Sequence, residues 1–165
     1  MSAAALTPAD LACHIAEAGI AAEILPMLTE TPTVAAAAAA LGVAPAQIIK
    51  TLLFFVAERP VLVIASGDAP VDRRPLAERY GVGKKQVRLA DAATVLALAG
   101  YPVGGVPPFG HLTQAASSVA IPVLLDRRIA AWDAVYGGGG DEYTLVRVAP
   151  AELARVTGGE WVELA

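Results

Sequence analysis

The sequence predicts an α+β fold, one domain over residues 1–165, built around a mixed, mostly antiparallel sheet. Two observations carry that expectation. Helix start and stop signals recur along the chain without a regular strand–helix–strand alternation, and after Lys50 the apolar spacing changes from helical to short β-branched and aromatic runs. Length adds a third, because most compact domains fall between about 50 and about 250 residues.

The elements follow from local signals. Thr7-Pro8-Ala9-Asp10 has a capping residue, a proline suited to the first helical position and an acid three residues after the cap, so a helix begins there and ends at Gly19. Thr33 caps a second helix, Val34 to Leu41, with Gly42 at its stop; its alanines carry so little bulk that another element can approach closely. A third helix is expected from Pro45 through Ile49 into Lys50. Thr51–Ala57 and Val61–Ala65 read as a buried hairpin turning through Glu58-Arg59-Pro60. Asp72 to Tyr80 forms a short charged helix closed by Gly81, and Gln86–Leu89 a short strand. Asp91 caps a helix over Ala92–Ala99. Later strands are expected at Val119–Leu125, Tyr143–Val148 and Trp161–Leu164, with a helix at Ala151–Val156.

Composition excludes several classes. Of the 56% hydrophobic residues many are alanine, 36 in all, so the positive mean hydropathy reflects alanine more than a membrane. Residues 31–49 are uncharged over about the length of a membrane span, but Pro32, Gly42, Pro45 and Gln47 interrupt them. Met1-Ser2-Ala3 lacks the basic start of a signal peptide, so a soluble, cytoplasmic protein is expected. A single cysteine, Cys13, builds neither a disulfide framework nor a cysteine zinc site. Two isolated histidines without spaced carboxylates make no metal site, and no dinucleotide or phosphate-loop fingerprint is present. No metal and no cofactor are expected.

Chemistry concentrates in a few places. Residues 92–125 contain no Asp, Glu, Lys or Arg, and at their centre lies Tyr101-Pro102-Val103-Gly104-Gly105-Val106-Pro107-Pro108-Phe109-Gly110-His111. Glycines that admit close backbone approach, stiffened by prolines, suit a nest of N–H donors for a carbonyl or oxyanion; the alternative is a rigid structural turn. Lys50, one of three lysines, is flanked by Ile48-Ile49 and Leu52-Leu53. It either snorkels to water or supplies a cation in a partly dry cleft. Gly137-Gly138-Gly139-Gly140 either wraps a ligand or turns a hairpin. His111 contacts a ligand or caps the loop, whereas His14 reads as structural. Arg73-Arg74, Arg79 and Lys84-Lys85-Gln86-Val87-Arg88 form a solvated basic face or a contact for a nucleic-acid backbone.

Two of these segments resemble a known family. Pro45-Ala46-Gln47-Ile48-Ile49-Lys50-Thr51-Leu52-Leu53-Phe54 is similar to the segment with the signature lysine of the YbaK/EbsC, prolyl-tRNA-synthetase-associated editing domains, and Gly104–Gly110 looks like their Gly-x-x-x-Pro loop, with Gly104 and Pro108 in the defining places. The likeness runs from Thr31 nearly to the end. It implies a partly barrel-like sheet surrounded by helices, and one aminoacyl-tRNA deacylase-like domain that hydrolyses mischarged aminoacyl-tRNA in trans. By that resemblance Lys50, Gly104 and Gly105 are catalytic. Val106, Pro107, Pro108, Phe109, Gly110, His111, Gly137 and Gly138 are the expected substrate-binding residues. The partners it implies are aminoacyl-tRNA and, beyond it, prolyl-tRNA synthetase; neither a membrane nor DNA is expected. Cysteinyl or alanyl esters on the proline acceptor are the leading substrates. Pro107 and Tyr136 depart from the residues common in relatives and bear on which amino acid is accepted. The rival reading is a non-catalytic module that binds aminoacyl-tRNA, or an amino-acid-like ligand, in the same pocket.

Overall fold

The structure, a computed structural model, describes residues 4–67, 69–112 and 121–164. In chain order these form α1 (Pro8–Ala18), β1 (Ala22–Pro26), α2 (Val34–Leu41), β2 (Ile49–Val56), β3 (Arg59–Ser66), α3 (Arg73–Tyr80), β4 (Val87–Leu89), α4 (Ala92–Ala99), β5 (Val123–Asp126), β6 (Val135–Gly138), β7 (Thr144–Val148), α5 (Pro150–Thr157) and β8 (Glu160–Val162). Short 3-10 turns lie at Pro45–Gln47, Lys84–Gln86 and Arg127–Ala131. The fold is mixed α+β, as the irregular element order predicted. No helix among the described residues is long and apolar enough to cross a membrane.

The strands form two sheets, ordered β4-β2-β3-β5-β8 and β1-β7-β6. Pairing is antiparallel except for β3 with β5 and β5 with β8. A lone parallel bridge between Ile48 and Tyr136 links the sheets. Strand β3 is central, and Val61 to Ser66 are buried on both faces, which is why the segment reads as one apolar run rather than an alternation. On one face Leu62 and Ile64 pack with Leu53, Leu125 and Phe109, joined by Leu11 of α1 and Leu153 of α5. On the other, Val61 and Val63 pack with Phe54 and Leu124 under Leu76 of α3. The small alanines of α2 let it settle closely, with Ala37 and Ala38 against Ile48 and Leu145.

The helix signals at Thr33, Asp72 and Asp91 are realised as side-chain caps: each oxygen accepts a backbone N–H from the first turn, of Ala36, Arg74 and Thr94 respectively. At α1 the Asp10 carboxylate accepts both the N–H and the hydroxyl of Thr7.

Three expectations need correction. Pro45–Gln47 is a single 3-10 turn, not a helix reaching Lys50; Ile48 and Ile49 are stiff at χ1 and already extended, and the Gly67 N–H donates to Ile48 O at 2.8 Å. Lys50 is therefore the second residue of β2, opposite Ala65. The hairpin turns through Ala57-Glu58, both in the left-handed region with φ 47° and 67°, rather than through Glu58-Arg59-Pro60. Pro60 then lies in β3 opposite Phe55, whose polar groups face β4, so its missing N–H costs no ladder bond. Strands β1 and β6 had no expectation. Of the run expected at Val119–Leu125, Val119 and Ala120 lie outside the described residues and the strand begins at Val123. The other late elements differ by one or two residues at their ends.

Candidate active site

Lys50 reaches its position through a pinned backbone. The Ser66 hydroxyl donates to Ala46 O at 2.6 Å, and the Ser66 N–H donates to Asp126 Oδ2 at 3.0 Å. Asp126 is 1% exposed and is bound by Arg128 through Nε and Nη2. Burial alone pushes the Asp126 carboxyl up, but hydrogen bonds from Arg128 and from the Ser66 and Arg128 amides outweigh it and hold it below the ordinary value. The turn before β2 is thus fixed from below. Half-buried Lys50 projects from β2 with Nζ 3.4 Å from Ala69 O.

The charge-free loop is anchored at both ends. Tyr101 and Phe109 are each 1% exposed, and burial, with a further push from Asp10, raises the Tyr101 hydroxyl to about 12. His111, also 1% exposed, binds Pro107 O through Nε2 at 2.6 Å. Burial pushes its pKa down, with His14 adding to the effect and the Pro107 bond opposing it, so the ring is neutral near pH 7 and Nε2–H is the donor. Its Nδ1 has no partner among the described residues. His14 packs beside Phe109, with ring centroids 6.4 Å apart.

The glycine run is the loop's seat. The Gly140 N–H donates to Gly105 O at 2.8 Å, while the Gly105 N–H donates to Pro102 O at 3.0 Å and closes the loop's own turn. A Cβ on Gly105 would lie 2.7 Å from Asp141 N, and one on Gly138 only 2.5 Å from Val106 O. Backbone rests on backbone here.

Between these parts lies a cavity of about 400 Å³. Lys50, Gly104, Val106, Gly137 and Gly138 line it, so five of the residues singled out in the sequence converge. Gly105, Pro107, Pro108, Phe109, Gly110 and His111 do not line it. Gly105, Pro107, Pro108, Phe109 and His111 are buried behind the loop, and half-buried Gly110 abuts His14. Other parts of the wall come from Thr31–Val34 with Ala37, the β2 neighbours of Lys50, Leu89–Ala90, Val95 of α4 and Leu145 of β7. Outside β2 their only signal in the sequence is the lack of charge around Thr31–Ala37. Among the described residues lining the cavity, Lys50 alone is charged; no carboxylate or imidazole is present. The arrangement can hold a small, largely apolar group beside one ammonium and the loop residues Gly104 and Val106.

The family model for the aminoacyl-tRNA editing domain matches residues 29–156, which include every one of these wall segments. This chain belongs to the aminoacyl-tRNA editing domain family. It is 34% identical over 127 residues to the proline–tRNA ligase of Desulfovibrio desulfuricans, covering 76% of this chain and 20% of the ligase. To the proline–tRNA ligase of Streptococcus equi it is 34% identical over 125 residues, covering 73% of this chain and 19% of the ligase. The chain therefore spans about a fifth of each of those curated relatives. Among solved structures, a candidate trans-editing enzyme for prolyl tRNA synthetase superposes with a TM-score of 0.83 at 27% identity, covering 95% of both chains. A hypothetical protein superposes with a TM-score of 0.82 at 36% identity, covering 94% of this chain and 98% of that one. This editing domain thus shares its architecture with chains of its own size and its sequence with a segment of larger ligases.

Proposed function

We propose that this editing domain, residues 1–165, is a deacylase that acts in trans on mischarged aminoacyl-tRNA in the cytoplasm, with alanyl or cysteinyl esters on the proline acceptor as the leading substrates. The observation that carries the reading is the meeting of one cation, Lys50, with the Gly104–Val106 main chain across an otherwise uncharged cavity of about 400 Å³. The likeness to a candidate trans-editing enzyme for prolyl tRNA synthetase supports the substrate class.

In this reading the aminoacyl side chain occupies the apolar end, against Val34, Ala37 and Leu145. The ester carbonyl faces the loop. The Gly104 and Val106 N–H groups donate to its oxygen as negative charge develops there, since the Gly105 N–H is already bound to Pro102 O. Lys50 fixes the ester or the adjoining phosphate; in a partly dry cleft an ammonium acts more strongly than in water. Water adds to the carbonyl carbon, the ester C–O bond breaks, and the ribose oxygen leaves with a proton. As no lining carboxylate or imidazole is present among the described residues, the vicinal ribose hydroxyl of the substrate takes the water's proton while passing its own to the leaving ribose oxygen. Phe109, Pro107, Pro108 and His111 act behind the loop by fixing its course.

The test is hydrolysis of a panel of labelled aminoacyl-tRNAs by the wild type and Lys50→Ala. Lysine-dependent loss of label from one or a few members supports the deacylase and names its substrate. Binding without turnover on any member would replace it with a carrier of aminoacyl-tRNA.

A further inference from the structure

The mechanism above leaves one strongly charged surface unused. Arg73, Arg74, Arg79, Lys84, Lys85 and Arg88 are six of the twelve Lys and Arg residues of the chain, and between Arg73 and Arg88 only Glu78 is acidic. This segment carries a net +5 in a chain of net −4, so the remaining residues carry −9. All six cations are exposed.

The fold gathers them on α3, the following 3-10 turn and β4, and fixes the frame they stand on. Arg73 Nη1 donates to Val87 O at 3.2 Å, tying α3 to β4. Arg88, opposite Phe55 in the register, lies over that ring on the side of the sheet away from α3, 4.5 Å from its centroid, and pairs with Glu58 at 3.2 Å, while Arg79 pairs with Glu160, so the face rests on the cations of α3 and the 3-10 turn. Among the described residues Arg74, Lys84 and Lys85 make no ion pair, so their charge faces solvent. Strand β4 then leads straight into the site. Leu89, 48% exposed, and Ala90 line the cavity, and the Ala90 N–H donates to Leu53 O at 2.9 Å. Ala90 is five positions on from Lys85, at most about 18 Å of extended chain.

We infer that the α3–β4 face is the seat of the phosphodiester backbone of the acceptor arm whose aminoacylated end enters the cavity. The inference rests on the reading of aminoacyl-tRNA as substrate. Charge complementarity carries it: a local surplus of cations in an otherwise acidic chain attracts a polyanion to this face, and the face adjoins the cavity through β4. Lys and Arg heads here contact phosphate and give position rather than sequence readout.

The test compares wild type with an Arg74→Glu/Lys84→Glu/Lys85→Glu triple variant and with Arg147→Glu, an exposed cation on β7 outside the face. Deacylated tRNA binding is measured between about 50 and about 200 mM salt. Losing three phosphate contacts should make the slope of log K against log salt shallower by about two to three and weaken binding more than about tenfold at the low-salt end. Arg147→Glu should match wild type. The triple variant should also lose hydrolysis of aminoacyl-tRNA while keeping that of an aminoacyl-adenosine, which has no phosphodiester. A wild-type slope in the triple variant, an equal loss in Arg147→Glu, or competition by polyglutamate as strong as by tRNA would overturn the inference. If no ester is hydrolysed by wild type, the deacylase reading fails, yet the salt slopes still decide the surface because they need no turnover.

Discussion

Gly140 donates its N–H to the carbonyl of Gly105 at 2.8 Å, joining the glycine run to the Gly-Pro loop through main chain alone. The neighbouring contact is tighter still, because a methyl group on Gly138 would meet Val106 O at 2.5 Å. Gly138→Ala therefore pushes the loop from its seat. A displacement of about 1 Å costs on the order of 100-fold in rate, so kcat should fall by that factor. Circular dichroism should report the same fold, and an active Gly138→Ala enzyme would show that the loop's position is not critical.

Lys50→Ala removes a half-buried side chain with a single long hydrogen bond to Ala69 O. Its stability cost should stay within about 1 kcal/mol, the net worth of such a bond. Deacylation should vanish. A urea titration beside a single-turnover assay separates the two effects.

His111 carries a pH signature. Its folded-state pKa is depressed by burial, so the unfolded chain binds its proton more readily than the folded chain. The stability it contributes is complete above the ordinary histidine value of about 6.5 and is lost as pH falls from there through the depressed folded value. The Tm of the wild type should drop between about pH 7.5 and about pH 5.5. The drop should shrink in His111→Gln, and an equal drop in that variant would assign the effect elsewhere.

Asp126 accepts the Ser66 N–H and holds Arg128 while almost wholly buried. Asp126→Ala leaves that amide without a partner, at a cost of about 2–3 kcal/mol for a bond to a charged acceptor. Because the Asp126 pKa is depressed in the folded state, its contribution is present above the ordinary carboxylate value and is lost as pH falls through the folded value. Urea midpoints should differ between variant and wild type at neutral pH and converge in acid.

The β2–β3 turn offers a gain. Ala57 and Glu58 both sit at positive φ, which costs a residue with a Cβ about 1–2 kcal/mol. Ala57→Asn/Glu58→Gly supplies the pair this turn type prefers. It should stabilise the protein by about 1–2 kcal/mol, less the small worth of the exposed Glu58–Arg88 pair. Thermal melts would show it directly.

Helices were the most legible part of the fold, because a cap such as Asp91 and a stop such as Gly100 lie within ten residues of each other. Lys50 stood out as a lone cation in an apolar run, and the Gly-Pro loop as a long gap in charge. Strand β6 was illegible for a physical reason: half of it is Gly137-Gly138, which fit closely against Ile49 and Pro108 and against Val106 respectively and have little strand propensity. The wall at Thr31–Ala37 was equally hidden. Its role depends on meeting Leu145 and Leu89 across the fold, which no local pattern records.

The cavity thus divides labour between two kinds of atom. The loop is seated by peptide groups and by the buried Tyr101, Phe109 and His111, none of which lines the cavity, whereas the volume facing it is drawn by the side chains of Val34, Ala37, Leu89, Val95 and Leu145. Those side chains can be enlarged or trimmed without touching the loop's support. The same scaffold can therefore be retuned toward another acyl group by a few substitutions far apart in the chain, while the geometry that faces the ester stays as it is.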